Sequence, residues 1–166
     1  MNLVNNMEKV YLGRIVATHG IKGELRIKSS FSYKREAFRV GNHLLIEQKS
    51  YVIRSYRVHK DFDMVTLGDF TNINDVLFLV GKKVYIEKEE LQLESDQVLD
   101  QDLMEYTVVS GSGKRGRVLE IFYASPKNKV MRVELDHEIL VPVLSPLVVI
   151  DSEKKEIKID SMLEGR

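Results

Sequence analysis

The sequence predicts a mainly β protein, in which short and closely spaced strands form small barrels or sandwiches. The first observation behind this prediction is strict alternation of apolar and polar residues, as in segment 24–28, where Leu25 and Ile27 share one face. The second is the regular occurrence of turn residues between such segments, for example at Gly41-Asn42 and Gly68-Asp69. The same pattern of alternating segments separated by turn residues occurs in both halves of the chain.

The first half contains six predicted strands and one predicted helix. The strands are expected at 9–17, 24–28, 44–47, 51–58, 64–67 and 82–86. The helix is expected at 71–80, because its apolar residues, including Leu77 and Val80, repeat at helical spacing. Asn72 or Asn74 could cap its start, and Gly81 ends it.

A change in the residue pattern, from alternating to polar, predicts a boundary between two domains. Segment 87–101 is polar and lacks β alternation, which indicates an interdomain linker. We therefore expect an N-terminal domain at 1–90, a linker at 91–97 and a C-terminal domain at 98–166. Strands of the second domain are predicted at 106–109, 117–123, 129–135, 138–141 and 156–159. Pro142 and Pro146 flank segment 143–145, and they indicate that this segment is an edge or a break and not a central strand.

Composition narrows the class of protein. The chain has 166 residues and no cysteine, so disulfides, thiolate metal sites and a cysteine nucleophile are excluded. Apolar runs fall far short of the roughly 18 residues needed to span a membrane, and the N-terminal residues do not resemble a signal peptide. These features predict a cytoplasmic protein without a membrane association.

The net charge of zero conceals an uneven distribution of charge. The first sixty residues carry 12 Lys or Arg against 4 Asp or Glu, so the remainder of the chain is acidic. A basic section beside an acidic section favours a partner with its own charge pattern, such as a nucleoprotein particle. Ordinary scatter of surface charge is the alternative explanation.

The segment "ATHGIKGEL" at 17–25 is the first candidate for a functional site. Gly20 and Gly23 can supply positive φ at a turn, but the pattern is neither a Walker loop nor a GxGxxG motif, and it leads into a strand. A hairpin turn that needs glycine is the simplest interpretation. Neighbouring side chains could add a positive patch suited to phosphate or to an acidic surface. These side chains belong to Arg14, His19, Lys22, Arg26 and Lys28.

Other residue patterns do not predict catalysis. The four histidines lack the spacing of a metal site, the paired carboxylates lie in or near turns, and no nucleophile elbow is present. We therefore expect no enzyme activity, no metal and no cofactor. The segment 31–39 interleaves Phe31, Tyr33 and Phe38 with basic residues. Basic side chains beside aromatic rings suit contact with nucleic acid. The alternative, which we favour, is a short amphipathic segment that closes a barrel.

Several of these motifs, in this order, resemble the RimM family of ribosome maturation factors. "YLGRIVATHGIKGELRIKS" (11–29) is similar to the family's opening strand, His-Gly-x-x-Gly-Glu turn and basic second strand. "LGDFTNINDVLFLVGKKVYI" (67–86) resembles its helix and closing strand, Asp102-Leu103 its second domain's start, and "LEGR" (163–166) its usual ending. The resemblance covers nearly the whole chain.

The resemblance implies both a fold and a function. The expected fold is a six-stranded barrel like those of translation factors, followed by a PRC-type β-barrel. The expected function is non-catalytic: a monomeric, cytoplasmic factor that assists assembly and ribosomal RNA processing of the small ribosomal subunit. Its implied partners are ribosomal protein number nineteen of the small-subunit head, the subunit itself and its RNA. The alternative is a translation-factor-like module that acts directly on RNA; an enzyme with an RNA substrate and an unrelated PRC-type interaction module are weaker alternatives.

The chain departs from the family pattern at one predicted contact. The family usually carries two tyrosines and a tryptophan just before the Asp-Leu pair, whereas Val98, Leu99 and Asp100 stand there in this chain. Either Val98 and Leu99 make a smaller apolar contact, or Tyr106 and Tyr123 substitute for the missing aromatic rings. The predicted binding residues for ribosomal protein or RNA are Arg14, His19, Gly20, Lys22, Gly23, Arg26, Lys28, Val98, Leu99 and Tyr106.

Overall fold

The computed structural model describes residues 8–125, 127–144 and 146–165. The chain divides into two compact units, and the division lies between Gln92 and Leu93, within the segment 91–97. We call the part up to Gln92 unit 1 and the part from Leu93 onward unit 2. Both are built mainly from β-strands, which confirms the predicted fold class.

Unit 1 is a closed six-stranded barrel, as expected. Around the barrel the strand order is β1-β2-β5-β4-β3-β6. The strands are β1 (Lys9–His19), β2 (Glu24–Lys28), β3 (His43–Ile46), β4 (Lys49–His59), β5 (Phe62–Leu67) and β6 (Lys83–Glu87). Alternation places one face of each strand inside, so that Ile15, Leu25 and Ile27 are fully buried. Because the barrel closes, β1 and β6 are hydrogen-bonded neighbours despite their distance in sequence.

The basic and aromatic segment at 31–39 packs against the barrel core. It contains helix α1 (Lys34–Ala37), and the following Phe38 is only 1% exposed. The Phe38 ring stacks on Tyr56 with centroids 5.2 Å apart. Tyr56 donates a hydrogen bond of 2.6 Å to the buried Asp63, whose other oxygen lies 2.9 Å from the Lys34 ammonium. The segment therefore packs against the barrel, whereas the barrel itself is closed by the pairing of β1 with β6.

The predicted helix at 71–80 is shorter and less regular than expected. Helix α2 (Ile73–Val76) continues as a 3₁₀ helix at Leu77–Leu79. Asn72 caps it, since its side chain accepts a hydrogen bond of 2.8 Å from the Asn74 N–H. A third helix, α3 (Lys88–Leu91), follows β6 and buries Leu91. Part of the polar segment 87–101 is thus helical and packed.

Unit 2 is a six-stranded sheet with the strand order β10-β9-β8-β7-β12-β11. Its strands are β7 (Thr107–Ser110), β8 (Arg115–Ser125), β9 (Asn128–Glu134), β10 (Glu138–Pro142), β11 (Val148–Asp151) and β12 (Glu156–Ile159). Helix α4 (Asp100–Leu103) precedes them, and a 3₁₀ helix at Ser161–Leu163 follows. Strands β7 and β12 pair in parallel, whereas the other neighbours are antiparallel. Strand β11 was not predicted.

Candidate functional site

The turn between β1 and β2 is shaped by its two glycines. Gly20 has φ +69° and Gly23 has φ +93°, a region that other residues rarely adopt. A Cβ on Gly23 would also lie 3.4 Å from the Phe70 carbonyl oxygen. The Ile73 N–H donates a hydrogen bond of 2.9 Å to the Ile21 carbonyl. The turn is thus a hairpin whose backbone is held against the segment that leads into α2.

Arg26 and His19 meet on the outer face of this hairpin. Arg26 Nη2 lies 2.8 Å from His19 Nδ1, and its guanidinium lies 5.6 Å from the centroid of the Phe62 ring. The His19 ring is also close to His59, with centroids 5.2 Å apart. Arg26 is therefore engaged with neighbours in its own unit, whereas Lys22 is exposed at the turn.

A bidentate ion pair with Arg57 neutralises Glu24, the acidic residue of the hairpin. Arg57 Nε and Nη2 donate hydrogen bonds of 2.8 Å to the two carboxylate oxygens of Glu24. These bonds lower the pKa of Glu24, against the opposing effect of burial. The pKa of His59 is lowered too, first by desolvation and then by the nearby Arg57 charge. The hairpin surface thus combines cations with a carboxylate that already has its partner.

Two other predicted cations, Arg14 and Lys28, belong to a row of basic residues that crosses three neighbouring strands. Arg14 on β1 pairs in register with Lys28 on β2 and with Lys83 on β6, and all three side chains are exposed. Arg14 Nη1 donates a hydrogen bond of 2.7 Å to the Gly81 carbonyl. Sequence reasoning missed Lys83, because only the closure of the barrel brings β6 beside β1. The row can bind an anionic group such as a phosphate.

An apolar surface beside the turn was also missed from sequence. The Phe70 ring lies 6.1 Å from the Tyr51 ring and 6.2 Å from the Phe78 ring. Phe78 is 55% exposed and Leu77 is 51% exposed. We call these four residues the aromatic rim. Exposed aromatic surface of this kind is typical of protein contacts.

The apolar residues that predicted the helix do not all lie on a buried face. Leu77 and Val80, two of these residues, are exposed. The buried residues are Val76 and Leu79, which are three apart. The reason is the 3₁₀ helix at Leu77–Leu79, whose period of about three residues turns Phe78 and Leu77 outward.

The predicted contact residues of the second domain are buried. Val98, Leu99 and Tyr106 are 6%, 3% and 8% exposed, and Val98 and Tyr106 belong to the unit 2 core. Burial raises the pKa of the Tyr106 hydroxyl. These side chains therefore pack in the folded chain and do not form a surface; a role in binding remains a prediction.

The residue after Leu99 anchors helix α4 to the sheet. Asp100 forms an ion pair with Lys129 on β9 and accepts a weak hydrogen bond of 3.4 Å from the Tyr123 hydroxyl. Tyr123, the proposed aromatic substitute, is thus directed toward α4. Asp100, one of the three positions at which the resemblance implied an aromatic ring, therefore carries a structural contact in this chain.

Two classes of site are not observed in the part of the chain that the structure describes. Within residues 8–125, 127–144 and 146–165, no group of three His, Asp or Glu side chains is arranged to hold a metal ion. No helix in these ranges has the length and apolar character to cross a membrane. The described surfaces offer ionic and apolar contacts.

Comparison with known proteins relates this chain to one family. The RimM N-terminal domain family model matches residues 10–91. A ribosome maturation factor RimM from Staphylococcus saprophyticus is 37% identical over 163 residues, covering 93% of this chain and 96% of the relative. One from Staphylococcus epidermidis is 35% identical over 162 residues, with the same coverage. The solution structure of the N-terminal domain of RimM from Thermus thermophilus is 24% identical and covers 52% of this chain and 98% of that chain, with a TM-score of 0.46.

Proposed function

The chain belongs to the RimM family, and from this premise we propose that it is a cytoplasmic ribosome maturation factor that acts on the small ribosomal subunit. The observation that carries the proposal is the 37% identity to a ribosome maturation factor over 93% of the chain. The aligned share is too large to be confined to one unit, so the relationship includes both the barrel and the six-stranded sheet.

We propose that the factor works by binding and release and performs no covalent chemistry. It would hold a ribosomal protein and nearby ribosomal RNA in an arrangement that is competent for assembly and processing. Two separate surfaces of unit 1 support this proposal: the basic row of Arg14, Lys28 and Lys83, and the aromatic rim. One suits an anionic partner, and the other suits an apolar partner.

The proposed protein partner is ribosomal protein number nineteen of the small-subunit head. We assign the aromatic rim to this contact, because Phe78 and Leu77 are exposed apolar anchors. Asp69 and Asp75 are exposed near these anchors, and a basic partner would complement their charge. For Val98, Leu99 and Tyr106, the proposal is an indirect role: from the core, they hold α4 and β7 in place.

Calorimetric titration of the full chain with this ribosomal protein tests the proposal. Replacing Leu77 and Phe78 together by Ser should weaken binding by about thirtyfold or more, since interface anchors carry most of the binding energy. The matched control is Val58→Ser, at an apolar residue of β4 that is 63% exposed. Thermal unfolding of each variant checks that the fold is retained.

Two results would contradict these assignments. If the native chain binds neither this protein nor purified precursors of the small subunit, the proposed function is wrong. If the native chain binds and Val58→Ser weakens binding as much as the rim variant does, the rim is not the contact surface.

A further inference from the structure

Two tyrosines and three cations share one outer face of the unit 1 barrel. Tyr11 on β1 pairs in register with Tyr85 on β6, and their rings meet edge to face with centroids 5.4 Å apart. Arg14 on the same strand lies beside Lys83 and Lys28. We call these five residues the tyrosine face. Neighbouring strands are about 4.8 Å apart, so the Cα atoms of Lys28 and Lys83, which flank β1, lie about 10 Å apart.

A β-bulge places both kinds of side chain on the same face. Tyr11 and Arg14 are three residues apart, and strict alternation would direct them to opposite sides of the strand. The register of β1 with β6 shifts between Tyr11 and Gly13, which adds the residue needed to turn Arg14 outward. Gly13 is required at this point, because a Cβ there would lie 2.2 Å from the Lys28 carbonyl oxygen.

The cations of the tyrosine face have no carboxylate partner within 4 Å among the described residues. Lys28 and Lys83 are exposed and form none of the ion pairs found in the described ranges, and Arg14 uses one N–H on the Gly81 carbonyl. The neighbouring Lys82, in contrast, pairs with Glu47 at 3.1 Å. Glu87 lies beyond the rings and opposite Lys9. The face therefore combines three available positive charges with ring surface, since Tyr11 is 51% exposed.

We propose that the tyrosine face binds single-stranded RNA. The cations would contact successive phosphates, and Tyr11, supported by Tyr85, would stack on an unpaired base. Rings beside a phosphate-binding row favour a single strand over a duplex, because the bases of a duplex are already stacked and paired. The inference rests on the proposed function for its source of RNA, the small-subunit RNA, whereas the binding chemistry depends only on this face.

Fluorescence anisotropy of the full chain with a labelled oligouridylate of about 12 nucleotides tests the proposal. Three phosphate contacts predict a slope of about −2 in a plot of log affinity against log salt concentration. Replacing Lys28 and Lys83 together by Gln should reduce that slope by about 1.4. Tyr11→Ala should weaken binding by at least about fivefold and leave the slope unchanged.

Matched controls separate this face from general surface charge and from exposed apolar side chains elsewhere on unit 1. Replacing Lys49 and Lys60 by Gln removes two exposed lysines elsewhere on unit 1 and should leave the salt slope unchanged. Val58→Ala removes exposed apolar surface at a residue of β4 that is 63% exposed and lies outside both proposed binding surfaces, and it should leave RNA affinity unchanged. Equal losses in the controls would overturn the assignment to the tyrosine face.

Three further outcomes bear on the proposal. Absence of RNA binding by the native chain would overturn it, and equal affinity for a polyglutamate of similar length would show a general polyanion surface instead. Stronger binding to a duplex than to the single strand would also contradict it. Titration with the ribosomal protein is independent of all three, so failure of the RNA site is distinguishable from failure of the proposed function.

Discussion

Arg26 on β2 donates a hydrogen bond to His19 at the end of β1, with Nη2 2.8 Å from Nδ1. Because the guanidinium can only donate, the His19 Nδ1 must be the unprotonated nitrogen that accepts. The bond links the two strands next to the glycine turn. It therefore gives His19 a structural role within the candidate binding surface.

His19→Leu should lower the free energy of unfolding by about 1–3 kcal/mol, because the half-buried Arg26 loses a charge-assisted hydrogen bond. His19→Gln retains an acceptor and should lose less. Urea unfolding of the two variants and the native chain checks this prediction. Equal stability of His19→Leu and the native chain would show that the bond contributes nothing in solution.

The Glu24–Arg57 pair predicts how stability depends on pH. The hydrogen bonds from Arg57 hold the folded-state pKa of Glu24 below its ordinary value of 4.5. The pair therefore stabilises the fold above that value, and its contribution is lost as pH falls through the lowered pKa. Glu24→Gln should reduce the loss of stability between pH 5 and lower pH, as measured by urea unfolding at several pH values. An unchanged acid-side profile would contradict the assigned role.

Leu99 allows packing to be separated from direct contact. It is 3% exposed, so Leu99→Ala should cost about 2–5 kcal/mol of unfolding free energy through loss of apolar burial and a cavity. Leu140→Ala, at a residue of β10 that is 59% exposed, is the control and should change stability by less than about 0.5 kcal/mol. A Leu99→Ala chain of native stability that no longer binds the ribosomal protein would instead indicate a direct contact.

Lys114 lowers the pKa of Asp136 in unit 2. Its ammonium lies 3.0 Å from the carboxylate and is the main reason that the pKa of Asp136 is about 2, with a further contribution from His137. Lys114→Gln should therefore raise this pKa toward the ordinary 3.8. An NMR titration of the carboxyl carbon measures it, and Lys158→Gln, whose lysine lies beside Asp151, is the control.

Local patterns predicted most of the strands of the fold. Strand β2 has the predicted limits because Leu25 and Ile27 alternate with charged residues, and β12 was equally well defined. Asn72 and Asn74 were the two residues predicted to cap the helix, and Asn72 is the one that does so. Strand β11 was missed because Val148 and its neighbours form a short apolar run after Pro146, without alternation. Such a run does not distinguish a strand from a packed loop.

Features that depend on distant pairing could not be predicted. The Tyr11–Tyr85 contact and the position of Lys83 beside Arg14 follow from barrel closure. The burial of Val98 and Leu99 was obscured because the surrounding segment is polar and lacks a clear period. The positions of the hairpin residues, by contrast, were predictable, because His19, Arg26 and Lys28 lie on adjacent strands joined by one turn.

The parallel pairing of β7 with β12 has a consequence for the order of events during synthesis on the ribosome. Unit 1 closes when β6 pairs with β1, so every strand of the barrel has been made before unit 2 is translated. In unit 2, β7 is the first strand made and its parallel neighbour β12 is the last. The sheet must therefore wait for nearly all of its own sequence to emerge, whereas the barrel can fold while translation continues.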